Sequence, residues 1–151
     1  MAGRLRIVAV ASGGGHWIEL WRLRAAFDGQ EIVWVSTFEN YASEVEPERY
    51  YAIGDATRFD RFKHFKILLR AFYIMLRERP DAVITTGSAP ALGFILIGRL
   101  MGAKTLWIDS IAQPEKLSTS GSIAKRIAHT TVSQWPEAAK AEQIECWGAV
   151  L

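Results

Sequence analysis

Of 151 residues, one is cysteine, Cys146, and five are proline. A single thiol excludes an internal disulfide framework and a cysteine-rich zinc site, and it fits a reducing compartment. Eighteen lysines and arginines against sixteen acids leave a formal charge of +2, too little to mark a nucleic-acid binder by its overall field. No apolar run is long enough to cross a bilayer, and the opening MAGRLRIVAVASGGGHW, interrupted by glycines, makes a poor secretion signal. No set of histidines and carboxylates has metal-ligand spacing, so a structural metal is not expected; no cofactor is expected either. Half of the chain is hydrophobic, which is enough for one sizeable core, and the length suits one domain over residues 1–151. Together these features predict a cytoplasmic protein.

Strand-like and helix-like segments alternate along the chain. Leu5–Ala11 is a β-branched apolar run without polar alternation, the pattern of a strand covered on both faces. Ser12-Gly13-Gly14-Gly15 follows, and then Trp17, Leu20, Trp21 and Leu23 at helical spacing predict a helix over His16–Phe27. Further strands are predicted at Glu31–Ser36, Tyr50–Ile53, Ala82–Thr86, Ala103–Asp109, Thr130–Ser133 and Ile144–Trp147. Between them fall a short helix near Tyr41–Val45, a long one over Asp60–Arg79 closed by Pro80, and others from Pro90 to about Met101, over Ile123–Ala128 and over Pro136–Ala141. Such alternation implies an α/β fold: a doubly wound, mainly parallel sheet with helices on both faces. Gln113–Ser122, rich in Ser, Thr and Gly, is the best candidate for a mobile loop.

Ligands of open α/β sheets bind beyond the carboxyl ends of the strands, which singles out three loops: Ser12–His16, Gly87–Pro90 and Asp109–Gln113. Gly13, Gly14 and Gly15 let a ligand approach the backbone, and the helix behind them aims free N–H groups at an anion such as a phosphate or diphosphate. The loop fits neither a P-loop, since no Lys-Ser/Thr follows, nor the dinucleotide GxGxxG pattern. Alone, it would equally suit a tight strand-to-helix turn. His16, at the helix start, suits a neutral imidazole that accepts a proton or donates a hydrogen bond, or else one that braces the loop. Gly87, Ser88 and Ala89 offer a second set of backbone donors. Asp109 and Ser110 end a strand where a carboxylate is seldom placed for packing, the alternative being a cap for the next turn. His64 and His129 have no comparable setting.

On the long helix, Phe62, Phe65, Leu69, Phe72 and Leu76 form a stripe that reads as the core-facing seam, and Ile67, Ala71 and Ile74 form a second apolar strip. A basic stripe, Lys63, Lys66, Arg70 and Arg77, runs between them. Such a helix suits a protein that packs one face on its sheet and lays the other against anionic lipid, with Ile67 and Ile74 as apolar contacts. A solvated edge, or one covered by a partner subunit, is the plainer alternative. Residues Ile144–Leu151 are too apolar for a free tail, and Trp147, Val150 and Leu151 are expected to meet a partner or a second copy.

Taken in order, ASGGGH, TTGSAPA, WIDS, KLSTSGSIAKRIAH, VSQWPE and CWGAVL resemble the Alg14/PssD family of glycosyltransferase subunits over nearly the whole chain, most specifically from Asp109 to Glu137. That family corresponds to the amino-terminal half of GT-B enzymes similar to MurG. The resemblance implies a split enzyme of polysaccharide biosynthesis, a hexosyl- or glucuronosyltransferase subunit without a bound metal. A separate Alg13/PssE-like subunit would hold the UDP-sugar, and this half would bind a polyprenyl-diphosphate-linked saccharide at the cytoplasmic membrane face. By position, Ser12, Gly13, Gly14, Gly15 and His16 match the first glycine loop, expected to face the acceptor's diphosphate. Gly87, Ser88 and Ala89 match the second. Asp109-Ser110 stands where many relatives have Glu-Ser, and His16 or Asp109 becomes the candidate base. Gln113-Pro114-Glu115 departs from the basic stretch of eukaryotic members, which also carry an amino-terminal transmembrane helix that is not expected here; the basic edge of the long helix would replace it. Two other readings remain: a non-catalytic scaffold that activates a partner transferase, and a free-standing nucleotide-binding protein with Glu39 as its ribose-binding acid.

Overall fold

A computed structural model describes residues 3–57 and 59–150. In chain order it contains β1 (Arg6–Val10), α1 (Gly15–Arg22) continued by a 3-10 turn (Leu23–Phe27), β2 (Glu31–Ser36), and a 3-10 turn (Glu39–Tyr41) leading into α2 (Ala42–Val45). There follow β3 (Arg49–Ala52), α3 (Arg61–Glu78), β4 (Ala82–Thr85), α4 (Ala89–Leu100), β5 (Lys104–Ile108), α5 (Thr119–Ile127), β6 (Thr130–Ser133), α6 (Pro136–Glu142) and β7 (Glu145–Cys146). The strands form one sheet in the order β3-β2-β1-β4-β5-β6-β7, with every pairing parallel. The doubly wound architecture is therefore as expected. From β1 the chain steps outward to β2 and β3, then returns to place β4 on the other side of β1. The connections diverge there, so a crevice opens beyond the carboxyl ends of β1 and β4.

Alternate side chains of the strands build two cores. Val8, Val10, Val33, Val83 and Trp107 pack against α3, α4 and α5, whereas Ile7, Ala9 and Trp34 pack against α1 and its 3-10 extension through Trp17, Leu20 and Phe27. In the second core Trp17 stacks on Tyr41 at 4.6 Å and meets Trp34 edge-on at 5.8 Å. Each large side chain buried in this way contributes about 1.5–3 kcal/mol. The cluster fixes α1, and with it the glycine loop, to the sheet.

The inward face of α3 is not the expected one. Ile67, Ala71, Ile74, Met75 and Glu78 are buried, whereas Phe62, Phe65, Leu69, Phe72 and Leu76 lie on the surface, Phe62 at 68% exposure. Close packing explains the choice. A Cβ on Gly98 of α4 would stand 2.7 Å from a Val83 methyl and 3.3 Å from Met75, and one on Gly93 would stand 3.2 Å from Leu68. Helices drawn this near accommodate Ala71 and two isoleucines, not a row of phenylalanines. Glu78 is buried in the same face because Arg49 pairs with it at 3.2 Å and the Tyr51 hydroxyl donates to it at 2.5 Å.

A second difference concerns α5, which starts at Thr119, well before Ile123. The Ser118 side chain caps it by accepting the Gly121 N–H at 2.9 Å, so the segment from Thr119 to Ser122, taken as loop from its Ser and Gly content, is helix.

Candidate functional site

At the crevice the first glycine loop is braced from the side. The Gly13 N–H donates to Thr37 Oγ1 at 3.0 Å and the Gly14 N–H to the Tyr41 hydroxyl at 3.1 Å, while Phe38 fills the space a Cβ on Gly13 would need. Two of the N–H groups expected to face an anion are thus used within the protein. Gly14, at φ 71°, caps α1 without a side chain, and Gly14 and Gly15 are exposed to solvent.

His16 is held with more definition. Its Nδ1 lies 3.0 Å from the Thr86 carbonyl oxygen, and the Thr86 hydroxyl donates back to the His16 carbonyl at 2.6 Å. A carbonyl only accepts, so Nδ1 carries a proton, and in the neutral ring Nε2 is the acceptor. Gly87 closes over the ring, since a Cβ there would stand 3.1 Å from its Cε1. The clasp joins the loops after β1 and β4 and fixes the tautomer that a general base requires.

Ser88 carries backbone strain, at φ 99° for a residue with a side chain. Its Oγ is buried and, among the described residues, has no hydrogen-bond partner, and it does not cap α4. With Ser12, Ala89, Pro90, Asp55, Ala56 and His64 it lines a cavity of about 420 Å³. Ser12, Ser88 and Ala89 thus line one cavity, and His16 stands beside them against Gly87. His64 and Asp55, which the loop pattern did not indicate, complete the wall. A larger cavity of about 610 Å³ between α1, β2 and α2 shares no residue with these loops.

Asp109 is different. It is 2% exposed, and its carboxylate accepts the Trp107 indole N–H at 3.0 Å, the Ser118 N–H at 2.7 Å and the Ser118 hydroxyl at 2.7 Å. A carboxylate so occupied, packed against Gly121, is not free to take a proton from a substrate: it ties β5 to the start of α5. The capping alternative is the one the geometry favours, and Asp109 is withdrawn as a candidate base. Ser110 likewise turns inward and donates to Glu19 Oε1 at 3.0 Å. Buried Glu19 also accepts from the Gln134 amide at 2.6 Å, and that amide donates in turn to the Asp109 carbonyl at 3.0 Å. Neither Glu19 nor Gln134 was visible as a pair, because they are far apart in sequence and Glu19 sits beside Ile18, which is exposed.

Lys63, Lys66, Arg70 and Arg77 lie on the exposed side of α3, but Ile67 and Ile74, at 6% and 2% exposure, belong to the core and cannot touch a membrane. The solvent-facing apolar stripe runs through Phe62, Phe65, Leu69, Phe72 and Leu76 instead. Asp60 caps the helix by accepting the Lys63 N–H at 3.0 Å, and this hydrogen bond holds its carboxyl below the usual range. At the other end of the chain Trp147 is 59% exposed beside Ile84, Leu106 and Thr130. Val150 is half-buried and donates its N–H to Gln134 at 2.8 Å; Leu151 lies outside the described residues. Among the described residues no helix is long and apolar enough to cross a membrane, and no group of three or more His, Cys, Asp or Glu side chains could hold a metal ion.

No protein-family model matches the chain. Among curated proteins it is 26% identical to the UDP-N-acetylglucosamine transferase subunit ALG14 of Mus musculus, over 87% of this chain and 76% of that protein. In fold it is similar to MurG of Acinetobacter baumannii, with a TM-score of 0.72 at 21% identity over 89% of this chain and 43% of that one. It is also similar to a UDP-N-acetylglucosamine 2-epimerase of Rickettsia bellii, with a TM-score of 0.73 at 15% identity over 94% of this chain and 43% of that one. The chain spans less than half the length of these solved structures. It is Alg14-like in sequence, and its Rossmann-like α/β fold matches that of GT-B glycosyltransferase domains.

Proposed function

We propose that this chain is the acceptor-binding, membrane-recruiting subunit of a two-component glycosyltransferase, working with an Alg13/PssE-like subunit that holds the UDP-sugar. Its acceptor is a polyprenyl-diphosphate-linked saccharide presented at the cytoplasmic face of the membrane, and its product feeds polysaccharide synthesis. The observation that carries this reading is the clasp that fixes His16 Nδ1 against the Thr86 carbonyl at the switch-point crevice, next to the Ser12–Ser88 cavity. The likeness to a protein named as a transferase subunit supports the split arrangement.

In the reaction, an acceptor hydroxyl attacks the anomeric carbon of the donor sugar. The new carbon–oxygen bond forms as the bond to the diphosphate breaks, UDP leaves with the electron pair, and His16 Nε2 takes the hydroxyl proton. Ser88 Oγ and the N–H groups at the start of α4 hold the acceptor's diphosphate. Closure against the second subunit excludes water from the cleft. The donor sugar is a hexose or a hexuronic acid, recognised on the other subunit.

The test is sugar transfer to a polyprenyl-diphosphate-linked acceptor in membranes, from a panel of UDP-sugars, with this chain alone and with its partner co-expressed. Transfer is expected only with both, and His16→Ala is expected to lower turnover about 100-fold or more while acceptor binding persists. Transfer by this chain alone would defeat the split reading. A stable complex without transfer would make the chain a scaffold.

A further inference from the structure

The cavity beside Ser88 has walls of opposite electrical character. The wall from the β4–α4 turn offers donors, namely the first N–H groups of α4 and the Ser88 hydroxyl, which among the described residues has no partner. That wall suits the diphosphate. The facing wall comes from the segment after β3 and the first turn of α3, and it presents Asp55 and His64, two side chains that the proposed reaction does not use. Asp55 is the one acid in the lining, and among the described residues its carboxylate accepts the adjacent Ala56 N–H, at 2.9 Å, and no other donor. A carboxylate has room for about four hydrogen bonds. His64 Nε2 lies 3.0 Å from the Thr57 carbonyl oxygen, so Nε2 carries a proton, and in the neutral ring Nδ1 is the acceptor.

Both side chains sit on an anchored segment. The Thr57 carbonyl also accepts the Asp60 N–H at 3.1 Å, and the Asp60 carbonyl accepts the His64 N–H at 3.1 Å, which ties the loop to the helix start. Upstream, the Ile53 N–H donates to the Ser36 carbonyl at 2.9 Å, and Gly54, at φ 82°, makes the turn that leads into Asp55. A wholly anionic ligand would be repelled by Asp55, and a cation would be repelled by the positive start of α4. Ala56, Ala89 and Pro90 add apolar surface between the polar groups. The volume, about 420 Å³, falls within the roughly 300–1,000 Å³ usual for small-molecule sites. An anion joined to a compact polyol meets all of these conditions: its hydroxyl protons match two acceptors, and its C–H surfaces match alanine and proline.

From this arrangement we infer that Asp55 and His64 form the subsite that reads the sugar attached to the acceptor's diphosphate. The Asp55 carboxylate and His64 Nδ1 each accept a hydrogen bond from a ring hydroxyl, while the diphosphate stays on Ser88 and the start of α4. His16, packed against Gly87, is left for a further hydroxyl, the one that reacts. The inference rests on the proposed acceptor class and adds which residues choose its sugar. Because both groups are acceptors, a sugar lacking either hydroxyl leaves one of them unmatched and binds less tightly.

The experiment is calorimetric binding to the full chain of soluble short-chain probes: farnesyl diphosphate, the same diphosphate carrying glucose, galactose or N-acetylglucosamine, and analogues of each sugar that lack one ring hydroxyl. At least one sugar-bearing probe is expected to bind about tenfold tighter than farnesyl diphosphate. Asp55→Ala and His64→Phe should each remove most of that preference and leave the affinity for farnesyl diphosphate unchanged, whereas Ser88→Ala should weaken all probes alike. For the preferred sugar, one deoxy analogue should bind wild type about tenfold less tightly than the parent sugar and bind Asp55→Ala as well as the parent does, a match that a merely structural role would not produce. Asp55 is exposed, so its variant should keep its melting temperature, and it keeps the test decisive if His64→Phe is destabilised. No binding of any probe, equal binding with and without sugar, or a preference that survives Asp55→Ala would overturn the proposal. Transfer with the partner is scored separately. A sugar preference without transfer keeps the subsite and removes the proposed reaction, whereas transfer without preference does the reverse.

Discussion

Two polar clusters lie at the carboxyl end of the same sheet, and they are built on opposite principles. Around Asp109 every strong acceptor is used: its carboxylate takes three donors, Glu19 takes the Ser110 hydroxyl and the Gln134 amide, and the Gln134 carbonyl takes the Val150 N–H. Around Ser88 the opposite holds: among the described residues its buried hydroxyl lacks a partner, its backbone is strained, and the neighbouring His16 is clasped through Nδ1. A saturated network rigidifies, and an unsatisfied one awaits something. A carboxylate at a strand's carboxyl end is thus no sufficient sign of chemistry. The state of its hydrogen bonds decides.

The sharpest way to break this contrast is to substitute Asp109. Asp109→Ala leaves Ser118 and the Trp107 indole without their acceptor and should cost about 3 kcal/mol or more, lowering the melting temperature by roughly 6–12 °C. Asp109→Asn should lose part of that stability and retain most transfer per folded molecule. Abolished turnover with an unchanged melting temperature would return Asp109 to the candidate bases. Ser88→Ala is the converse and smaller change. Acceptor affinity should fall by roughly tenfold, the worth of one hydrogen bond to an anion, with no loss in melting temperature because Oγ has no partner among the described residues. A destabilised Ser88→Ala protein with full affinity would show that the hydroxyl serves the fold.

The smallest effect tests a group that is neither saturated nor waiting. Asp60 has its pKa lowered by the Lys63 N–H, so its capping contribution is present above the unfolded-state value and is lost as pH falls through the lower folded-state value. Amide exchange in the first turn of α3 should rise selectively in that acid range, and Asp60→Asn should remove this pH dependence. An unaltered profile would show that the cap contributes nothing measurable.

Much of the architecture was legible from local pattern. Glu31–Ser36 and Thr130–Ser133 match observed strands end to end, and the alternation of strands and helices implied the doubly wound sheet. The face of α3 was not legible. Periodicity separates the Phe62–Leu76 stripe from the Ile67–Ile74 strip, but which one turns inward depends on Gly93 and Gly98 of another helix. Buried Glu78, at the end of the inward row, disguised that row further, and its partners Arg49 and Tyr51 come from β3. At the site, the glycine loops and His16 were readable because their chemistry is local. The fate of Asp109 depended on Ser118, whose position came into view only once α5 was seen to begin at Thr119.

The strand order also sets a timetable for synthesis. Among the described strands β1 is made first and is a central one, paired to β2 on one side and to β4 on the other, where Ile7 must wait for Ala82. Until β4 leaves the ribosome, of the described strands only β1, β2 and β3 can pair, with the β1 edge open, and α3 has been made before the sheet it covers is complete. Distant parallel pairings of this kind are slow to form, and an open edge invites pairing with other chains. The crevice lies beyond the carboxyl ends of β1 and β4, along that seam, so it takes shape only after folding has passed this exposed stage.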